Sequence, residues 1–216
     1  MAEATYCHHR IDCAPRQWKA VADRIVAHAG NTLGGAGGKV YGIWRSQIGR
    51  PRDELNAITV WPTATTSDAV RALTAGVSDV VAHDVAIMRP TLRPLDTVPP
   101  TRQGNYAFRW FETPRPNWDE FLELCAGAWP GFEAAYDSQV IGLWRFDELA
   151  GANIKSLMIT RRPDLAMWER TKIPQGDAEA EVRSKLSRRY DLCDWTVVHT
   201  STLITAADRE DTARWT

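Results

Sequence analysis

The chain is poor in the features that mark many function classes. It has four cysteines, Cys7, Cys13, Cys125 and Cys193. No pair has Cys-x-x-Cys spacing, which argues against a zinc knuckle or a redox dithiol. The expectation is four reduced, mostly buried thiols, as in a cytosolic protein. An excess of either charge is also missing. The 26 Lys and Arg against 27 Asp and Glu give a formal net charge of −1, so nothing draws the chain globally to nucleic acid or to an anionic membrane. No stretch approaches the ~20 apolar residues of a membrane helix. The first eleven residues hold two histidines and an arginine without an apolar run, and do not read as a signal peptide. These absences point to a soluble, cytoplasmic protein with neither nucleic acid nor membrane as partner. There is no P-loop, dinucleotide fingerprint or Gly-x-Ser-x-Gly. The Gly34–Gly38 run follows a helix and reads as a flexible loop. No histidine spacing suggests a metal site, and no metal is expected.

What is present is repetition. Trp18 returns as Trp118, Val40-Tyr41-Gly42-Ile43-Trp44-Arg45 returns as Val140-Ile141-Gly142-Leu143-Trp144-Arg145, and Tyr6 aligns with Tyr106, all one hundred residues apart. That period is too long for a solenoid and reads as a duplicated domain. Hydrophobic periodicity gives the same element order in each half. In the first, Thr5–Asp12 is a strand. Trp18, Val21, Ala22, Ile25 and Ala29 recur at helical spacing, and Gly30 together with the Gly34–Gly38 run stops that helix. Lys39–Gln47 and Leu55–Trp61 form a hairpin, Ser67 caps a second helix, and Ser78–Arg89 is the last strand. In the second half, Asn105–Thr113 is a strand, followed by a helix capped by Asn117. Gln139–Phe146 and Ile154–Arg161 form the hairpin, a helix starts at Asp164, and Asp194–Ile204 closes the half. An extra helix, 177–190, with Val182, Leu186 and Tyr190 on one stripe and Glu179–Arg183 and Glu181–Lys185 pairs, has no counterpart in the first half.

Strand, helix, strand, strand, helix, strand is the split βαβ, or ferredoxin-like, order. The fold class is therefore α+β, with two tandem ferredoxin-like repeats. The expected boundaries are 1–95 and 104–205, joined by a Pro-rich linker at 96–103 and followed by a charged tail at 206–216.

Gly42-Ile43-Trp44, the strand Asn56–Trp61 and Ala128-Trp129-Pro130-Gly131-Phe132-Glu133 resemble the NIPSNAP family within the dimeric α+β barrel superfamily. Gly142-Leu143-Trp144 is a weaker second copy, and Arg161 or Arg162 stands where the first copy has Trp61. The resemblance implies two sheets packed face to face as a pseudo-dimeric barrel. It also implies a site in the cleft between sheet and helices or inside the barrel. The superfamily it suggests includes cofactor-free monooxygenases, isomerases and lyases, together with haem-binding proteins.

Alternation sorts the polar residues by face. Tyr6, His8 and Arg10 share one face of the first strand; Cys7, His9 and Ile11 share the other. Arg45 and Arg145 follow a tryptophan in equivalent strands and need an anionic partner if interior. His83 and His199 lie in the closing strands and can act as acid or base near neutral pH. Tyr106, Phe108 and Trp110 make an aromatic strand face that lines a pocket or packs a core. Glycines 42 and 142 leave room for a helix or a ring. His28, late in a helix, reads as structural or solvated. The duplicated halves keep their tryptophans and glycines but not their histidines, so a site should be asymmetric. The candidate catalytic set is His8, His83, Arg45 and Tyr6, and Arg145, Trp110 and His199 are candidate substrate contacts. The leading functional expectation is an enzyme without a cofactor, of lyase, isomerase or monooxygenase type, acting on a small apolar or aromatic molecule. The alternatives are a non-catalytic binding or scaffold protein, and a haem-binding barrel. The expected partner is a small-molecule ligand, with homo-oligomer formation left open.

Overall fold

The structure, a computed structural model, describes residues 4–147 and 151–208. The eight strands and five α-helices among them form a mixed α+β fold built from two compact units.

The first unit contains β1 (Thr5–Cys13), α1 (Trp18–Gly34), β2 (Lys39–Ile48), β3 (Glu54–Trp61), α2 (Ser67–Arg71) with a following 3-10 turn (Ala72–Thr74), and most of β4 (Val80–Arg93). Its strand order, β4-β1-β3-β2, is that of a ferredoxin-like repeat, and β1 and β2 both run antiparallel to β3. Trp18, Val21, Ala22, Ile25, Ala29 and Leu33 form the buried stripe of α1, packed on Cys7, Ile11, Ile43, Leu55, Ala57 and Trp61. Of the expected stop signals, Gly30 does not end this helix, which runs on to Gly34 and ends at the glycine run. A mid-helix glycine costs roughly 1 kcal/mol, whereas burying Leu33 gains about 1.5–3 kcal/mol. The cap of α2 is Thr66, whose side chain accepts from the Ala69 amide, one residue before the expected Ser67.

The second unit contains β5 (Asn105–Pro114), α3 (Trp118–Tyr136), β6 (Gln139–Phe146), β7 (Asn153–Arg162), α4 (Leu165–Arg170), α5 (Asp177–Asp191) and most of β8 (Trp195–Leu203), in the strand order β8-β5-β7-β6. The chain is thus two tandem ferredoxin-like repeats. The Ala128–Glu133 motif, expected after the helix, lies inside α3, with Pro130 within it. Buried Phe132 and Tyr136 continue the apolar stripe past the proline and offset its cost of ~3 kcal/mol.

The units are not strictly consecutive in sequence. Pro90–Leu95, with the end of β4, belongs to the second unit, where Thr91 donates to the Leu143 carbonyl and Arg93 pairs with Glu133. The expected linker, 96–103, belongs to the first unit. There the Asp96 carbonyl accepts from the Tyr6 hydroxyl, and Lys39 Nζ donates to Thr97. The start of the expected tail is held there too, Ala207 donating to the Thr101 carbonyl and Gln103 to Asp208. The rest of that tail lies outside the described residues.

Two devices recur in both repeats. Tyr41 and Ile141 are extra residues of a β-bulge, since Val40 and Gly42 pair with successive residues Thr59 and Ile58, as Val140 and Gly142 do with Thr160 and Ile159. The bulge turns Tyr41 away from Ile43 and Arg45, with which simple alternation groups it. Its ring meets Tyr6 edge-on, while Ile43 packs in the core with α1. The second device is the Gly-x-Trp pair. The rings of Trp44 and Trp144 lie over Gly42 and Gly142, where any Cβ would collide with them.

Candidate functional site

A cavity of about 360 Å3 opens in the second unit between the β5/β7 surface and helices α3, α4 and α5. The strand register builds its floor. Ala107 pairs with Thr160, flanked on the same face by Arg109 opposite Met158 and by Asn105 opposite Arg162. Ala107 is too small to fill the space between the two arginines. These sit four strand residues apart in register, about 13 Å at a strand's rise of ~3.3 Å per residue.

Trp129, Phe132 and Trp168 form aromatic walls, while α5 adds Arg183, Leu186, Ser187, Arg189 and Tyr190. This helix reaches the site because Gly131 lets it approach α3. A Cβ on Gly131 would lie 2.6 Å from Val182 Cγ2. Arg188–Glu120 and Asn117–Leu192 bonds fix its far end. Its near end is tied to α4 through Glu179, which accepts from Arg170 at 2.7 and 2.9 Å, from the Tyr136 hydroxyl and from the Gln175 amide. Glu179 therefore pairs with Arg170 and leaves Arg183 to the cavity. The expected Glu181–Lys185 pair does form, at 2.7 Å. Val182 is buried and Leu186 packs on the core, but Tyr190 is largely exposed.

The electrostatics are one-sided. Five lining residues are cationic, Arg109, Arg162, Lys172, Arg183 and Arg189, and none is a carboxylate. Lys172 is offset by Glu169 at 3.0 Å. Arg162 Nη1 donates to Thr160 Oγ1 at 3.0 Å and its guanidinium lies over the Phe132 and Trp168 rings, but its buried Nε has no partner among the described residues. Arg189 is only 6% exposed. It donates to the sulfurs of Cys125 and Met158 and lies over Phe111, again with its Nε unsatisfied. Arg109 makes no hydrogen bond or ion pair among the described residues. Burial, and then the neighbouring Arg189 and Arg183, push its pKa down to about 10. Burial and Arg109 push Arg162 down to about 10 as well. Both remain charged at neutral pH, and an anion would relieve the cost of keeping them so.

The first repeat explains why the cavity exists. Its register places Cys7 opposite Thr59, His9 opposite Ala57 and Thr5 opposite Trp61. Trp61 thus occupies the place of Arg162, and both reach the equivalent threonine: Trp61 Nε1 donates to Thr59 Oγ1 at 3.1 Å. Trp61 is 1% exposed and plugs its repeat. Gly38 is needed beneath it, since a Cβ there would lie 2.5 Å from the ring; the second repeat has Ser138 at that position. Replacing Trp61, Cys7 and His9 by Arg162, Ala107 and Arg109 accompanies the opening of the second copy.

None of the seven residues singled out from sequence lines this cavity. The four in the catalytic set have four different sets of partners. Tyr6 donates to the Asp96 carbonyl, and burial raises its pKa. His8 is bonded to Asn56 at 2.9 Å, and burial lowers its pKa to about 4. Arg45 stacks over Trp18, 4.1 Å from the ring centre. His83 pairs opposite Ile11 on the other face of β1 from His8. It meets His9 there, Nε2 to Nδ1 at 2.9 Å, and Thr74 at 2.8 Å, while His9 Nε2 meets Thr59 Oγ1. Burial lowers the pKa of both histidines, and each is lowered further by a neighbour, His83 for His9 and Arg71 for His83. Of the candidate substrate contacts, Arg145 is exposed, Trp110 stacks on Phe146 and His199 stacks on Phe108. The sequence signal for this cavity is the departure at Arg162 from the repeat.

The cavity lining offers haem iron no histidine or cysteine, and its Met158 sulfur is engaged by Arg189. No three His, Cys, Asp or Glu side chains among the described residues converge as a metal site. The cysteines are free, three of them buried. Among the described residues no helix is long and apolar enough to cross a membrane.

No family model matches the chain, and no curated protein does. Solved structures do match at fold level. A putative monooxygenase from Lactobacillus acidophilus NCFM is 9% identical with a TM-score of 0.60, over 97% of this chain and 100% of that one. An anthrone oxidase-like protein is 13% identical with a TM-score of 0.56, over 99% and 97%. A mutant chlorite dismutase from Candidatus Nitrospira defluvii is 9% identical with a TM-score of 0.59, over 94% and 92%. The likeness is one of fold.

Proposed function

We propose that this NIPSNAP-like chain binds a small aromatic molecule in its anionic form in the second-unit cavity and acts on it without a cofactor. The observation that carries the reading is the replacement of the Trp61 plug by Arg162. It opens an aromatic-walled space whose buried guanidinium groups have no acidic partner among the lining residues. A volume above ~300 Å3 suits a ligand site better than a packed scaffold. Trp129, Phe132 and Trp168 supply the apolar surface. The cations supply orientation by charge-assisted hydrogen bonds.

The chemistry available is electrostatic. Arg109, Arg162 and Arg189 are fixed donors in a partly water-excluded site, and such donors stabilise charge that develops on a substrate. A phenol or enol bound there loses its proton more readily. The resulting delocalised anion, its proton passed to solvent water, is the electron-rich species from which isomerisation, carbon–carbon cleavage or, with dioxygen as the oxidant, cofactor-free oxygenation can start. The monooxygenase-type member of that set is favoured by likeness in fold to the Lactobacillus and anthrone oxidase-like proteins.

The test is spectroscopic. Titration of 1-naphthol absorbance with excess protein should show the bound phenol ionising at a pH lower by at least about one unit, the effect of a nearby opposite charge. Arg162→Gln should remove most of that shift. Binding with no change in the phenol's ionisation would refute the electrostatic role.

A further inference from the structure

We infer that the ligand of this cavity carries two negative charges on a compact aromatic body. The inference rests on the cavity being an aromatic-anion site and names its substrate class more narrowly. It starts from counting what a ligand must satisfy. After Lys172 is set against Glu169, four arginines remain on the lining, Arg109, Arg162, Arg183 and Arg189, with no carboxylate among the lining residues. Two of them hold buried Nε groups without a partner, and Arg109 has no hydrogen bond or ion pair among the described residues.

A single carboxylate presents two oxygens and one charge, enough for one bidentate guanidinium and part of a second. It would leave the remaining cations repelling one another across a half-buried space. Arg109 lies at one end of the Ala107–Thr160 floor and Arg162 at the other, while Arg189 comes from α5. Three forks from three origins suit an acceptor with more oxygens and more charge. A phosphoryl monoester has three acceptor oxygens and a charge of roughly −1.5 to −2; a ring with two carboxylates has four oxygens and the same total charge. Both share the chemistry inferred here, a dianion. The aromatic body follows from Trp129, Phe132 and Trp168, and the modest volume of about 360 Å3 keeps that body to a few fused rings at most.

The experiment is calorimetric titration of the intact protein at pH 7.5 and low salt. The probes are 2-naphthoate, 2-naphthyl phosphate, naphthalene-2,6-dicarboxylate and inorganic phosphate. At least one of the two naphthyl dianions should bind about tenfold or more tightly than naphthoate, the gain expected of an added charge-assisted bond. Whichever does so identifies the source of the charge, and inorganic phosphate should trail it for want of the ring. Arg109→Gln should bring the ratio of dianion to monoanion affinity close to one. Equal affinity for naphthoate and both dianions overturns the inference and leaves the aromatic-anion reading standing. Inorganic phosphate binding as tightly as naphthyl phosphate overturns the aromatic part of it. Failure of all three naphthyl probes to bind overturns both readings.

Discussion

Arg162→Trp would give the second repeat the plug that the first already has, and its consequences can be worked out in advance. Trp61 sits over Gly38 with no space for a Cβ, whereas the second repeat has Ser138, which is buried and donates to the Tyr136 carbonyl. The single substitution should therefore overpack the site and cost about 1–3 kcal/mol. Ser138→Gly in the same chain removes the collision. The double variant also replaces a buried cation, held by no carboxylate, with an apolar ring. Replacing buried charge by well-packed apolar side chains is neutral or stabilising by about 1–4 kcal/mol. The expected result is a double variant at least as stable as the parent, with a favourable coupling of about 1–3 kcal/mol between the two positions. Its cavity is filled, so its affinity for naphthoate should fall by a factor of ten or more, about the worth of one charge-assisted bond. Urea denaturation of the four chains gives the coupling, and calorimetry gives the affinity. A double variant less stable than Arg162→Trp alone would refute the equivalence of the repeats, and unchanged affinity would refute the site.

Three further outcomes follow from the packing and the titratable groups. His8 has a folded pKa of about 4 against about 6.5 unfolded, so below pH 6.5 the unfolded chain binds the extra proton. The stability His8 contributes is complete above that pH, and about 2 kcal/mol of it is lost by pH 5. His9 and His83 act in the same direction, and a flat stability profile between pH 7.5 and 5 would contradict their burial as neutral rings. Trp44→Ala or Trp144→Ala should each cost about 3–5 kcal/mol in urea denaturation; less than about 1 kcal/mol for both would put those rings at the surface. Glu179→Gln should loosen the α4–α5 connection, read as faster amide exchange across residues 171–176, and unchanged exchange would show that Arg170 does not depend on that carboxylate.

The duplication carried most of the fold in legible form, because Gly-x-Trp pairs and helix stripes serve packing and recur wherever packing recurs. What failed locally did so where tertiary burial outweighed propensity. Gly30 and Pro130 are both helix breakers by composition, yet Leu33, Phe132 and Tyr136 have core to reach beyond them. The Tyr41 bulge was not legible because one inserted residue reverses facing without changing hydrophobicity. For the cavity, the recurring arginines are not among the lining residues. Arg45 and Arg145 recur, but one lies over Trp18 and the other is exposed. The cavity is marked by what does not recur: Arg162 for Trp61, Arg109 for His9, and the additional helix α5. The His9–His83 pairing required the β1–β4 register, which periodicity alone does not supply.

The central claim is that the second repeat holds an aromatic anion where the first holds its own tryptophan. Its most direct test is a crystal structure of the protein soaked with 6-bromo-2-naphthoate, read by the anomalous signal of bromine. The account predicts a bromine peak inside the cavity bounded by Trp129, Phe132 and Trp168, with the carboxylate against at least one of the Arg109, Arg162 and Arg189 guanidinium groups. A cavity closed by those side chains themselves, or a bromine peak only at other positions, would contradict it.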